Sequence, residues 1–560
     1  LKNTKAFVRI LCFSFTVLGL LAAYQQPISG ISPAQASDRP NIVLIMADDM
    51  GYSDIGCFGS EIATPNIDRL AAEGIKLTNF YNASRCCPTR AALMTGVYPV
   101  QADIGEMDGD DGVPGYRGFL SRNTVTMAEV LGENGYHCMI SGKWHLGQQE
   151  HAWPMKRGFH RQYASTTTTG HYFGIAKDRP YVIDDQSVEV PGEWIEAGQT
   201  DYKLFKNADG SQWYATDAYT DRAMENIEDL RKADAMKPFF LYLPYTAPHW
   251  PLHAFEEDIA KYEGKYLAGW DAVRQQRYRR LVELGIVPET WKLSPRNQQA
   301  KDWNHLTESE KKYYDRMMAT YAAMIDRMDQ NIGRLLTFLE EKGELENTII
   351  FFLSDNGGSA ENVHKGKEGV PTGRPDSFDS YEASWANVSN TPFQWFKQWT
   401  HEGGNATPLI AWYPKMIKAG TMDKQVAHVI DLMPTVCELA GAKYPATFRG
   451  NQILPLEGKS LVPVLEGKQR EGHRVLFWNH LGHRAARKGD WKIVSRYEAK
   501  TETELPWELY DMSKDRTETN NLAKKYPQVV AELETEFANW FERTGSISHK
   551  NLVAMRKGKR

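Results

Sequence analysis

Six short segments carry the residues best suited to chemistry. They are Asp48-Asp49, Cys86-Cys87-Pro88-Thr89-Arg90, Gly142-Lys143-Trp144-His145, Pro248-His249, Asp355-Asn356, and Lys397 followed by His401-Glu402-Gly403-Gly404. Adjacent carboxylates such as Asp48 and Asp49 repel each other unless a cation neutralises them, and hard oxygen ligands favour calcium or magnesium. Asp355-Asn356 adds a carboxylate and an amide oxygen of the same kind. No Cys/His cluster with zinc spacing occurs. Pro88 suits the start of a helix and Gly96 its end. Cys86 and Cys87 then face a helix N-terminus, which attracts anions. Arg90 adds a planar fork of donors suited to a tetrahedral oxyanion. Lys143 and His145 alternate along an extended segment and point the same way. Each segment alone also has an ordinary structural use: Asp pairs cap helices, Asp-Asn-Gly-Gly makes turns, and a lone His is more often structural than catalytic.

Several of these segments end a buried strand, where an open α/β sheet places its ligands. Asn41 to Met46 is a continuous apolar run, as expected of a strand covered on both faces. Phe239 to Leu243 and Thr348 to Leu353 read the same way, and His137 to Ile140 is expected as a further strand. Helices are expected at Asn66 to Glu73, Thr126 to Asn134 and Glu308 to Glu341, and from Lys424 to Ala440 with an interruption at Pro434. The methionines Met317, Met324 and Met328 recur at helical spacing and are core packing. Ala254 to Asn304 shows no clear period, and Glu361 to Trp385 reads as a long surface loop. Alternating strands and helices predict an α/β domain with a largely parallel sheet. Arg474 to Trp478, Arg484 to Arg496 and Trp507 to Tyr510 predict antiparallel strands, and Tyr526 to Arg543 an amphipathic closing helix. The basic tail Arg556 to Arg560 is expected to be a solvated end.

A chain of 560 residues exceeds what one ordinary core holds. The organisation expected is a signal peptide over residues 1–36, a catalytic domain over 37–445 and a smaller C-terminal α+β domain over 446–560. The signal reading rests on Lys2, Lys5 and Arg9, the apolar run from Ile10 to Tyr24, and the Ala34-Gln35-Ala36 cleavage pattern. It implies an exported protein, periplasmic or secreted, with no membrane association after cleavage. A net charge of −5 argues against nucleic acid as a partner. Of six cysteines, Cys12 leaves with the signal. The remaining five are too few for a disulfide framework, and their odd number calls for an explanation. The sequons at Asn82, Asn387 and Asn405 are expected to be chance matches.

The run Cys86-Cys87-Pro88-Thr89-Arg90, followed by Ala91-Ala92-Leu93-Met94-Thr95-Gly96, resembles the sulfatase signature. Gly142 to Gly147 is similar to that family's second signature, and Ala247-Pro248-His249 to its A-P-H segment. Lys397 with Glu402-Gly403-Gly404 resembles its Lys-x4-Glu-Gly-Gly stretch, although Ala406 stands where many members carry Arg. The resemblance implies an alkaline phosphatase-like α/β fold, with the smaller antiparallel domain appended. It implies that Cys86 is oxidised to Cα-formylglycine by a formylglycine-generating or anaerobic sulfatase-maturating enzyme, which would account for the odd cysteine. It also implies one calcium ion held by Asp48, Asp49, Asp355, Asn356 and residue 86.

The implied reaction is hydrolysis of an aryl or carbohydrate sulfate. An aldehyde hydrate offers two hydroxyls on one carbon: one attacks sulfur, and the other expels sulfate by re-forming the aldehyde. Arg90 and Lys143 then steady residue 86, Asp355 takes a proton from the attacking hydroxyl, and His145 serves as base for sulfate release. His249 and Lys397 hold the ester and assist the departing alcohol. The substrate is a sulfated small molecule or glycan, chosen by the loops Gln148 to Gly192, Ala254 to Asn304 and Glu361 to Trp385. Two alternatives remain at this point: a phosphomonoesterase or phosphodiesterase of the same superfamily, and a non-catalytic glycan-binding relative.

Overall fold

Asn41–Ala47 (β1) is buried along its whole length, as a strand covered on both faces must be. A computed structural model describes residues 39–558 apart from 168–169, 178, 180, 188–193 and 198–199. The expected signal peptide lies outside the described residues. β1 sits in an eleven-stranded sheet with Ile75–Tyr81 (β2), His137–Lys143 (β3), Arg161–Ser165 (β4), Tyr181–Ile183 (β5), Gln186–Ser187 (β6), Phe239–Pro244 (β7), Thr348–Ser354 (β8), Ala406–Trp412 (β9), Thr421–Asp423 (β10) and Ala427–His428 (β11). The order is β10-β2-β9-β8-β1-β7-β3-β4-β5-β6, with β11 also on β2. The centre is parallel: β8, β1, β7, β3 and β4 run the same way. β9 runs against both β8 and β2.

The long helix Glu308–Glu341 covers the sheet and is capped by Thr307 and Glu310 in a reciprocal box. Its Tyr321 hydroxyl donates to the Asp54 carboxylate at 2.8 Å and lies 3.2 Å from the Asp49 carbonyl. A core helix thereby braces the segment that follows β1. The expected helices at 66–73 and 126–134 form as Pro65–Glu73 and Met127–Glu133.

Five expectations need correction. The helix after Arg85 starts at Cys86, not at Pro88. Pro88 then occupies the first turn, where a missing N–H costs no hydrogen bond. The stretch from Lys424 is not helical until Leu432–Ala440, so Pro434 lies in a first turn and interrupts nothing. Ala254 to Asn304 contains the helix Trp270–Glu283. Its buried face carries Arg274 and Arg277, which hides the apolar period. Arg277 is held by Asp54 at 2.5 Å and Glu61 at 2.7 Å. The loop Glu361 to Trp385 ends in a buried helix, Glu382–Ser389. The basic tail is no free end either: its described part closes the helix His549–Gly558, with Arg556 paired to Asp111 at 2.6 Å and Glu106 at 2.8 Å.

The C-terminal domain is a four-stranded antiparallel sheet of Leu476–His480 (β12), His483–Lys488 (β13), Trp491–Ser495 (β14) and Glu508–Asp511 (β15). The helix Pro527–Arg543 packs on it through Leu533, Phe537 and Trp540. The five described cysteines are all free. Asn82, Asn387 and Asn405 are all buried.

Candidate active site

Register delivers the acidic pairs to one place. Ala47 lies opposite Ser354, so Asp48-Asp49 and Asp355-Asn356 leave adjacent parallel strands side by side. On the other flank Met46 faces Pro244, and the Asp48 N–H donates to the Ala247 carbonyl at 3.1 Å, which brings His249 in. β3 ends at Lys143. Asp49, His145 and Ser84 all adopt left-handed backbone, with φ of 64°, 56° and 65°. Such conformations cost energy in non-glycine residues and cluster where a side chain must be aimed.

The charges interlock in a buried ring. Arg90 donates to Asp355 Oδ2 through Nε at 3.1 Å and Nη2 at 2.6 Å, and to the Lys143 carbonyl through Nη1 at 2.9 Å. Lys143 Nζ meets Asp48 Oδ2 at 2.5 Å. Lys397 Nζ meets Asp49 Oδ2 at 2.8 Å and lies 3.4 Å from His249 Nε2. Asn356 Nδ2 donates to Asp49 Oδ1 at 2.7 Å. His249 Nδ1 faces the Trp250 carbonyl at 2.6 Å; a carbonyl only accepts, so Nδ1 carries the proton and Nε2 is left facing Lys397. His145 Nε2 sits 3.6 Å from Asp108 Oδ2, and its ring lies within 4.8 Å of the Cys86 and Cys87 sulfurs.

Protonation follows from this packing. Burial alone would raise the Asp48 carboxyl, but Lys143, His249 and Arg90 together hold it well below the ordinary range. Burial and the neighbouring Asp48 charge push Asp355 well up, against Arg90 and Lys143. Burial lowers His249, against the pull of the Asp49 and Asp48 carboxylates. Burial opposes charge on Lys397, yet Asp49 and Glu361 overcome it and keep the ammonium protonated. The Cys86 thiol is pushed well below its usual value, first by the Cys87 thiol and then, against burial, by Lys143 and His145.

Cys86 opens a ten-residue helix in which every residue is buried. Gly96 closes it at φ 71°, donating to the Ala92 carbonyl, and a Cβ there would fall 2.6 Å from Leu456 and 2.8 Å from Met433. Glu402 has a different task from its motif neighbour Lys397. It binds Lys492 at 2.7 Å and Arg516 at 2.6 Å, fastening the Lys397 segment to the C-terminal sheet. Gly404 permits that route, because a Cβ would lie 1.9 Å from the Trp399 carbonyl.

All ten expected site residues therefore converge. Three others were not anticipated. Glu361 pairs with Lys397 at 3.1 Å and with Arg85 at 3.1 Å, and accepts from Trp250 Nε1 at 2.9 Å. Arg85 directly precedes Cys86, and its position was the one available signal. Asp108, opposite His145, lies in an acidic loop that gives no pattern to read.

A hard ion fits the acidic end. Asp48 Oδ1 and Asn356 Oδ1 are buried oxygens with no hydrogen-bond partner, a costly arrangement that bound charge relieves. One atom each of Asp48, Asp49 and His249 lies within 4.8 Å of the others. The softer Cys86, Cys87 and His145 group is a poorer centre, since Cys87 Sγ is already turned to the Glu106 carbonyl and the Met107 sulfur.

The largely parallel sheet with an appended antiparallel domain is the alkaline phosphatase-like fold. Residues 40–442 match the family profile described as Sulfatase, and 392–543 the one described as N-sulphoglucosamine sulphohydrolase, C-terminal. The chain belongs to the sulfatase family and is a sulfuric ester hydrolase. It is 35% identical over 548 residues to an uncharacterised sulfatase of Schizosaccharomyces pombe, covering 91% of this chain and 95% of that one. It is 34% identical to an arylsulfatase of Klebsiella aerogenes, covering 80% and 97%. Among solved structures it resembles Ps i-CgsB in complex with k-i-k-neocarrahexaose, with 25% identity, a TM-score of 0.63, and 90% and 92% coverage. Among the described residues, no helix is long and apolar enough to cross a membrane.

Proposed function

We propose that the chain is an exported, formylglycine- and calcium-dependent hydrolase of carbohydrate or aryl sulfates. The observation that carries this reading is the pair of partnerless oxygens, Asp48 Oδ1 and Asn356 Oδ1, set beside Cys86 inside a ring of cations. Carbohydrate substrates are supported by relatives named N-acetylgalactosamine-6-sulfatase, 28% identical in the dog protein, and by the k-i-k-neocarrahexaose in complex with Ps i-CgsB.

Asp48, Asp49, Asp355 and Asn356, with residue 86, would hold the calcium ion, which would neutralise sulfate charge and orient the ester. Conversion of Cys86 would supply an oxygen nucleophile on a carbon able to release sulfate afterwards; the unmodified thiol stands in its place here. Arg90 is fixed by three donated hydrogen bonds and so presents a rigid positive wall behind residue 86. Lys143 completes that wall while neutralising Asp48. Asp355, whose carboxyl burial and Asp48 push up, is the group best suited to take a proton from the attacking hydroxyl. His145, which lies beside Cys86 and faces Asp108, would serve as the base for sulfate release. Lys397 and His249 face each other at 3.4 Å, and Lys397 holds the proton that a departing alcohol needs.

The test is a panel of sulfated glycans and aryl sulfates with residue 86 quantified by mass spectrometry. Activity should scale with formylglycine content, vanish in Cys86→Ala and fall on chelation. Equal turnover of the phosphate and sulfate esters of one phenol would instead favour the phosphatase reading, and full activity in Cys86→Ala would remove the nucleophile.

A further inference from the structure

A cavity of about 580 Å³ lies outside the ring of charges, lined by the 117–124 loop, the 151–157 turn and residues 448–451 of the C-terminal region. That volume is typical of sites that enclose a small ligand. The wall holds five cations (Arg117, Arg122, Lys156, Arg157 and Arg449) against two carboxylates, Asp103 and Glu129. This excess is local, because the whole chain has a net charge of −5.

Both acids are already engaged. Glu129 takes Arg157 at 3.1 Å and accepts the Thr126 N–H at 2.8 Å. Asp103 accepts the Gly115 N–H at 2.5 Å. Arg157 is consumed in turn by Glu129 and by the Leu120 and Thr124 carbonyls. Four cations remain. Arg117 and Lys156 sit in exposed pairs with Asp110 and Asp185, which a stronger anion can displace at little cost. Arg122 and Arg449 are exposed on the wall, and neither forms an ion pair with a carboxylate among the described residues. Arg117 lies 5.2 Å over the Phe119 ring and Arg449 5.1 Å over Phe448, so apolar faces alternate with positive charge. That mixture matches a sugar ring bearing oxyanion substituents.

The cavity also shares a wall with the catalytic segment. Gln148, three residues past His145, donates to Asp108 at 2.8 Å, and Asp108 is the carboxylate facing His145. A Cβ on Gly147 would fall 2.8 Å from Phe119 Cβ and 2.4 Å from Ala152 Cβ, both on residues that line the cavity.

We propose that this cavity is a second, non-catalytic binding site for sulfated oligosaccharides, held through sulfate groups other than the one hydrolysed. The inference rests on the reading of the substrate as a sulfated carbohydrate. Charge-assisted contacts from Arg122 and Arg449 raise the affinity for long chains and leave the chemistry at residue 86 untouched.

The test uses two backgrounds. In Cys86→Ala protein, which binds without turnover, hexasaccharides of heparin, chondroitin sulfate and carrageenan are titrated by calorimetry at low and physiological salt. Adding Arg122→Ser and Arg449→Ser should weaken binding of whichever sugar binds by about tenfold and flatten its salt dependence. In the active enzyme the same pair should lower kcat/KM for that sugar by a similar factor and leave 4-nitrophenyl sulfate turnover unchanged. Both arginines are exposed and form no ion pair with a described residue, so the fold is not at stake; Arg122→Glu should give the larger loss. An oligosaccharide that the active enzyme desulfates, but that the double variant binds and turns over as well as the parent, overturns the cavity and leaves the substrate reading standing. A fully modified enzyme that neither binds nor desulfates any of the sugars overturns both.

Discussion

Glu402 and Lys492 lie 2.7 Å apart with neither side chain exposed, one beside the Lys397 segment and the other on the C-terminal sheet. Lys492 also meets Glu518 at 2.9 Å, and Arg516 meets Glu402 at 2.6 Å. The segment that carries Lys397 is therefore tied to the C-terminal sheet by a buried charge network.

Breaking that network from one side leaves buried charge uncompensated. Glu402→Ala should cost about 3 kcal/mol of stability, read from urea unfolding. The paired change Glu402→Leu with Lys492→Met should cost clearly less than the sum of the single changes, because no lone ion remains. Additive losses across this cycle would mean that the two residues act independently.

Lys397 and His249 face each other, and the lysine stays charged. If they deliver the proton to the alcohol, their value depends on the leaving group. Lys397→Ala should slow a sugar or alkyl sulfate by about 10²- to 10⁴-fold and 4-nitrophenyl sulfate far less. A loss equal for good and poor leaving groups would assign Lys397 to sulfate binding alone.

Several histidines are buried as neutral rings. Burial pulls His253 down to about 4 and His428 to about 3. The unfolded chain takes up protons at these positions near pH 6.5, while the folded chain does not. Stability is thus full above pH 6.5 and falls as pH drops towards 4. Each ring should cost about 2 kcal/mol between pH 7 and pH 5. Urea midpoints across that range should fall steadily, with a shallower slope in His253→Gln. A flat profile would mean that these buried rings do not set the acid sensitivity of the fold.

Strand ends were legible because β1, β7 and β8 are covered on both faces and read as unbroken apolar runs. The acid pairs followed, since each directly leaves such a strand. Trp270–Glu283 was not legible: its inward positions are Arg274 and Arg277, which find carboxylates and carbonyls far away in sequence. Glu361 was hidden for a related reason. It reaches the site only because the segment past Gly358 folds back over Lys397 and Arg85, a tertiary fact with no local pattern. The expected Pro88 helix start was two residues late because proline is tolerated throughout a first turn, not only at its first position.

Arg90 offers the sharpest test of the ring. Its Nε and Nη2 share Asp355 Oδ2, and its Nη1 holds the Lys143 carbonyl, all fully buried. A lysine keeps the charge but has neither the fork nor the reach to serve both partners. Arg90→Lys should therefore leave the Lys143 carbonyl unpaired and loosen Asp355, costing about 1–3 kcal/mol in stability. With residue 86 converted as proposed, turnover per modified site should fall about 10²-fold, since Asp355 and Lys143 both lose their fixed position. Normalising to residue 86 content separates this from failed maturation. Wild-type turnover per modified site in Arg90→Lys would show that charge alone matters there, and that the fork geometry does not.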